Sequence, residues 1–181
     1  LFEKTFWEFF QLSNPTSISG TPYIFDILNK LRFFKKDYSS VKTITQAGGK
    51  LNIKMSELIL NYCDKNSKKF YVMYGQTEAS PRISYLPPQN SRMKIGSIGI
   101  PIPGGKLSLI DSNNKEIKTP GEQGELVYYG KNVCLGYANS KKDLEKGDEN
   151  FGTLYTGDIA KKDNDNFFYI VGRKNRFIKL N

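Results

Sequence analysis

The residues of this 181-residue chain whose types could do chemistry gather in three short stretches. Tyr74-Gly75-Gln76-Thr77-Glu78 follows an apolar run and sets an aromatic ring, a glycine, a hydroxyl and a carboxylate side by side. An aromatic face can stack a purine, a hydroxyl can donate to phosphate, and a carboxylate can hold magnesium. Tyr155-Thr156-Gly157-Asp158 places a carboxylate after a glycine, fit to accept from the paired hydroxyls of a ribose. Gly172-Arg173 adds a guanidinium fork for phosphate or sugar oxygens. Each stretch is a weak signal alone. Together they hold most of the parts of a magnesium-nucleotide site.

Other chemistries fall away. The chain has no histidine, which excludes Ser-His-Asp and Cys-His catalysis, HExxH metalloprotease sites and zinc fingers. Cys63 and Cys134 are too few for a disulfide framework and make no metal-ligand spacing. Neither the G-x-x-x-x-G-K-[ST] phosphate loop nor the G-x-G-x-x-G fingerprint occurs. Asp163-Asn164-Asp165-Asn166 offers oxygens for calcium, but an EF-hand loop needs an oxygen ligand and then glycine where Phe167 and Phe168 stand. A hairpin turn is the expectation there. Phe6, Trp7, Phe9 and Phe10 at helical spacing read as a core face rather than a base-stacking platform.

The net charge is +9, from 22 Lys and 5 Arg against 18 acidic residues. The lysines are scattered, in nothing longer than pairs such as Lys35-Lys36 and Lys161-Lys162. Nucleic-acid readout leans on clustered Arg, so a surface that attracts small anions is the expectation, with no nucleic acid as partner. No stretch of eighteen apolar residues and no signal-peptide layout occurs, so no membrane partner and a cytoplasmic location are expected. The chain opens on Leu1 within an apolar-periodic stretch, which suggests a piece of a longer protein.

The elements that must position these residues follow two grammars. In the first, Phe2, Phe6, Phe9 and Phe10 mark a helix stopped by Asn14-Pro15. A strand over 16–19 ends at Gly20, and Thr21 caps a helix with Pro22 in its first turn and an Ile24, Ile27, Leu28, Leu31 stripe. Residues 41–45 read as a strand; Met55, Leu58, Ile59 and Tyr62 as a helix; Phe70–Met73 as a strand covered on both faces. This βαβαβ order predicts parallel pairing. The glycine-bearing loops at Gly20, Gly48-Gly49 and Gly75 then converge on one sheet edge, as a ligand crevice or as plain strand-to-helix turns. From about residue 94 short apolar runs alternate with dense turn signals. Residues 106–110, 125–129 and 167–171 read as strands of an antiparallel, distorted-barrel half. The expected fold class is α/β: a parallel βαβαβ layer over 1–93, a β-rich subdomain over 94–172, and 173–181 as the start of a hinge.

The ordered set of motifs resembles the adenylate-forming superfamily of acyl-CoA synthetases, peptide-synthetase adenylation domains and luciferase. The matching stretches are Ala47-Gly48-Gly49-Lys50-Leu51, Tyr74–Glu78, Gly96-Ser97-Ile98-Gly99 with Pro101, Gly124-Glu125-Leu126 with Gly136-Tyr137, Tyr155–Asp158, and Gly172-Arg173 with Ile178-Lys179. The texture is most similar to bacterial AMP-dependent ligases. The resemblance implies that Tyr74 stacks on adenine and that Gly48 and Gly49 border adenine and the acyl group. It implies that Gly75 belongs to the nucleotide loop, that Thr77 contacts the α-phosphate and that Glu78 binds Mg²⁺. Thr77 and Glu78 are the catalytic candidates. Asp158 would hold the ribose and Arg173 ribose or phosphate; Thr45, Ala47, Met73, Pro81 and Arg82 would surround the substrate carboxylate. Arg82 would favour a polar or anionic acid, or else be a solvated surface arginine.

The family's phosphate loop and its C-terminal domain with the catalytic lysine have no match within these residues. Asn175 stands where the family most often has Asp near the hinge. The implied ligands are ATP or AMP, Mg²⁺, a small carboxylic acid, and coenzyme A or a phosphopantetheine on an acyl carrier protein. By itself the chain is expected to be inactive. The rival reading is a non-catalytic basic module that binds an acidic partner or nucleic acid.

Overall fold

A computed structural model describes residues 1–174, so Asn175, Ile178, Lys179 and most of the expected hinge segment lie outside the described residues. The chain forms two compact units. One comprises Leu1–Tyr74 with Tyr85–Ser97, the other Gly75–Ser84 with the described residues from Ile98 onward.

The first unit is the parallel layer. Strands β1 (Ser17–Gly20), β2 (Thr43–Gln46) and β3 (Lys69–Tyr74) pair in parallel, with Ile18 beside Ile44 and Ile44 beside Phe70. Parallel strands need crossovers, and helices α2 (Pro22–Lys30) and α3 (Ile53–Lys65) supply them. Helix α3 begins where Asn52 accepts the Met55 N–H at 2.8 Å. Pro22 opens α2 as expected, but the Thr21 side chain makes no cap bond; its carbonyl accepts from Phe25 N instead. Helix α1 (Lys4–Ser13) ends at Asn14, whose φ of 45° turns the chain out of the helix.

The core of this unit is Phe25, Leu28, Ile44, Ile59 and Phe70 with a cluster of rings. Phe33 stacks on Tyr38 with ring centroids 4.7 Å apart, and Phe10 meets Tyr38 edge-on. Lys68, its side chain 2% exposed, closes this core from below: its Nζ donates to the carbonyls of Tyr38 and Val41 and pairs with Asp37 at 2.9 Å. Two sequence expectations need correction. On α1 only Phe10 is buried, with Trp7 half-buried beside it, while Phe6 and Phe9, like Phe2 just before the helix, are exposed; the apolar arc of the helix is wider than the arc the core covers. On β3 only Phe70 is buried; Val72 packs half-buried against the same core, and Tyr71 and Met73, on the alternate face, are half-buried as well.

Strand β4 (Ser84–Leu86) straddles the boundary between the units, and β5 (Ile100–Pro101) is a two-residue strand of the second. The second unit is built on an antiparallel sheet in the order β6 (Lys106–Ile110), β7 (Gln123–Tyr129), β8 (Thr153–Lys162), β9 (Phe168–Arg173). Leu109, Leu126, Tyr128 and Ala160 are fully or almost fully buried in it. The acidic turn is a hairpin between β8 and β9: Asp163 accepts from the N–H groups of Asp165 and Phe167, and Asn166 takes a φ of 62°. Strand β8, the longest of all, was not visible as a strand in the sequence. No helix among the described residues is long and apolar enough to cross a membrane.

Candidate functional site

Tyr155-Thr156-Gly157-Asp158 is a bulge in β8. Opposite β7, Glu125 pairs with Ile159 and Val127 with Tyr155, so three residues of β8 face Leu126 alone. Gly157 absorbs the extra length with a φ of 68°, which glycine reaches without strain. The bulge is pinned by its own residues. Thr156 Oγ1 donates to Leu126 O at 2.7 Å and accepts from Asp158 N at 3.1 Å. Lys174 N donates to Gly157 O, and Lys174 Nζ pairs with Glu125 at 2.6 Å. This local distortion re-aims Asp158. The residue is 5% exposed, and a buried carboxylate needs donors. Arg173 Nε, directly across the β8–β9 ladder, donates to its Oδ1 at 2.9 Å. Gln76 Nε2 donates to its Oδ2 at 3.1 Å and to Thr156 O at 2.9 Å.

Gln76 arrives there on the loop after β3. Gly75 makes that loop possible: a Cβ on it would stand 1.8 Å from Pro81 O, so no side chain fits against the returning chain. Thr77 opens a single 3-10 turn, Thr77–Ala79, and is exposed. Glu78 is held at both ends. Its carbonyl accepts from Cys134 N at 2.8 Å, and its Oε1 accepts from Tyr137 Oη at 2.5 Å. The Tyr137 hydrogen bond holds the Glu78 carboxyl below its ordinary range, with Arg173 adding in the same direction; the same bond raises the Tyr137 phenol. Glu78 and Asp158 therefore share the field of one guanidinium. Asn132 fastens the rest of the loop. Its Nδ2 donates to Ala79 O and Arg82 O, its Oδ1 accepts from Tyr128 Oη, and its carbonyl accepts from Ser80 Oγ. Pro81 and Arg82 are exposed on that loop.

The remaining candidates belong to the first unit, at the carboxyl ends of its parallel strands. Thr45 Oγ1 lies 2.6 Å from Ser19 Oγ across β1 and β2. Ala47 is half-buried, and Gly48 and Gly49 are exposed with φ of 77° and 155°. Gln46, fully buried beneath them, donates to Gly49 O at 2.7 Å and so ties down the glycine loop. Met73 and Tyr74 end β3, both half-buried. In the second unit the structure joins Asp158 with Arg173, and it brings in Asn132, which the sequence reading did not name, together with Gln76 and Tyr137, which it named only as motif members without a role. Gln76 lay inside a recognised motif, and its amide beside a carboxylate-bearing motif was the available signal. Tyr137 likewise lay in the Gly136-Tyr137 pair, but its partner is fifty-nine residues away, and Asn132 acts through partners about fifty residues away, which no local pattern reports.

The chain is 33% identical over 165 residues to the long-chain-fatty-acid–CoA ligase of Escherichia coli O157:H7, covering 90% of this chain and 28% of that protein. It is 34% identical over 145 residues to probable 4-coumarate–CoA ligase 1 of Dictyostelium discoideum, covering 80% of this chain and 26% of that one. It thus spans little more than a quarter of the length of these relatives. Among solved structures, O-succinylbenzoate coenzyme A synthetase from Bacillus subtilis in complex with AMP aligns with a TM-score of 0.75 at 25% identity, over 94% of this chain and 34% of that one. The same enzyme with ATP and magnesium ion aligns with a TM-score of 0.74 at 25% identity, over 97% and 35%. The family model of the AMP-binding enzymes matches residues 1–138, and this chain belongs to that family.

Proposed function

We propose that this chain is part of an ATP-dependent, AMP-forming ligase that activates a carboxylic acid as its acyl adenylate and passes the acyl group to a thiol. The observation that carries the reading is the pair of carboxylates around Arg173: Asp158, buried and hydrogen-bonded by Arg173 and Gln76, and Glu78, half-buried and kept ionised. A desolvated carboxylate with fixed orientation suits two neutral hydroxyl donors of a ribose. A half-buried carboxylate that ionises readily suits a cation.

Mg²⁺ is typically held by one or two carboxylates and the substrate phosphates, and Glu78, kept ionised by Tyr137 and Arg173, offers one such carboxylate. Glu78 would hold it, and when bound it supplies neutralisation of phosphate charge. The protein's own part is positioning. Tyr74 would stack the adenine, with Gly48, Gly49 and Gly75 letting backbone approach it. Asp158 would fix the ribose and Arg173 the ribose or phosphate. Thr77 would donate to the α-phosphate as the substrate carboxylate attacks α-phosphorus and pyrophosphate leaves. Thr45, Ala47, Met73, Pro81 and Arg82 would surround the acid, with Arg82 favouring a polar or anionic one. Coenzyme A or a carrier-bound phosphopantetheine would be the thiol. Functionally, residues 1–93 would carry the adenine, phosphate and metal motif, 94–172 the ribose motif, and 173–181 the start of the hinge. A cytoplasmic location accords with these substrates.

Acid-dependent exchange of pyrophosphate into ATP by the full-length protein, with ATP or AMP bound in preference to other nucleotides, is the expected result. Binding to nucleic acid that weakens steeply with salt, without nucleotide preference, would overturn the reading in favour of a basic binding module.

A further inference from the structure

We propose that Gln76 is the positioning residue for the ribose carboxylate; the inference rests on Asp158 holding the ribose. Asp158 sits on a bulge, the least regular part of β8, so its orientation is not set by the ladder alone. Two donors set it. Arg173 takes Oδ1, but that guanidinium is 63% exposed, and solvent screening weakens the hold of such an ion pair. Gln76 takes Oδ2 from a partly buried position and spends its two amide hydrogens on two acceptors, Asp158 Oδ2 and Thr156 O. These acceptors flank Gly157, the one residue of the bulge whose backbone is left-handed. The amide therefore braces the bulge and aims the carboxylate at once.

The side-chain chemistry required at position 76 is narrow. Both targets are acceptors, so a carboxylate there would repel and an apolar chain would leave both without this donor. An amide one methylene shorter, starting from the same backbone, should not span both acceptors. A carboxylate has about four acceptor sites, so donation by Arg173 and Gln76 is compatible with acceptance from ribose hydroxyls. Held this way, the carboxylate discriminates ribose from deoxyribose because it is oriented before the nucleotide arrives. Gln76 also sits between Gly75 and Thr77, so the residue that orients the ribose carboxylate is covalently part of the loop that carries Thr77 and Glu78.

The test is calorimetric binding of AMP, 2′-deoxy-AMP and 3′-deoxy-AMP to the full-length protein, for the wild type, Asp158→Ala and Gln76→Met. Gln76→Met should bind AMP about tenfold more weakly and lose most of the preference for AMP over the deoxy nucleotides. A merely structural loss would weaken all three nucleotides equally and leave the preference intact. If Gln76→Met does not fold, Gln76→Asn, which keeps an amide but not its reach, should show the same loss of preference. Preference lost in Asp158→Ala but retained in the Gln76 variants overturns this inference alone. No preference in the wild type, or full preference in Asp158→Ala, overturns the ribose assignment and this inference with it.

Discussion

Two glycines near the site are required for different reasons, and substitution separates them. Gly75 has no room: a Cβ would overlap Pro81 O at 1.8 Å. Gly157 has room, with nothing within 4 Å of a Cβ, but its φ of 68° strains any side-chain-bearing residue. Gly157→Ala should cost ~1–2 kcal/mol and Gly157→Asn less, because Asn tolerates the left-handed region. Gly75→Ala must displace backbone and should cost more than about 2 kcal/mol. Urea unfolding of the full-length variants checks the order, and equal costs would contradict it. The carboxylates divide in the same way. Glu78→Gln should lower magnesium-dependent turnover and spare the fold, since Glu78 is anchored to Cys134 by its backbone. Asp158→Ala should chiefly weaken ATP binding, as two charge-assisted hydrogen bonds to the ribose are each worth ~1.5–3 kcal/mol. Unchanged ATP affinity by calorimetry would remove the ribose role.

At the level of elements, helix α3 and the aromatic cluster it packs on make the first unit sensitive to alkali. Burial pushes the Cys63 thiol up to about 12, with Asp64 adding to it, and burial pushes the Tyr62 phenol to about 12 as well. In the unfolded chain these groups ionise near 9.0 and 10.0. Their folded values are raised, so their contribution to stability is complete below pH 9.0 and is lost as pH climbs toward 12. The urea midpoint should therefore fall between neutral pH and about pH 10.5, and fall less in Cys63→Ala. A midpoint flat across that range would show that neither group is protected by burial. The strands teach a related lesson. β1, β2 and β3 were legible because parallel strands feeding amphipathic helices have a strong pattern. β8 was not, because a glycine and a buried aspartate at its bulge break the alternation by which strands are recognised. The apolar arc of α1 was legible as a helix, yet its periodicity could not say that Phe9 would stay exposed.

For the whole molecule, the expected outcome is that residues 1–181 alone do not catalyse adenylation. The chain spans little more than a quarter of its ligase relatives, and its resemblance to the adenylate-forming enzymes leaves the phosphate loop and catalytic lysine without a match here. Loss of one preorganised donor at a reacting centre commonly costs ~2.7–4 kcal/mol. Two such losses should slow turnover by several orders of magnitude. Pyrophosphate exchange by the purified 181-residue chain, at the rate of the full-length protein, would refute this.

The sequence by itself determined the parallel and antiparallel halves, the order of the motifs, and the residue types at Tyr74, Thr77, Glu78, Asp158 and Arg173. These are local properties: hydrophobic period, turn chemistry and short spacing all act within a few residues. The tertiary structure alone decided which of these groups are buried, charged and aimed. It joined Gln76 to Asp158 across 82 positions and Tyr137 to Glu78 across 59. Those contacts depend on the register of β8 against β7 and on how closely the Gly75 loop folds back on Pro81. Register and close approach are set by the packing of distant segments, and that information is spread over the whole chain rather than written in any one stretch of it.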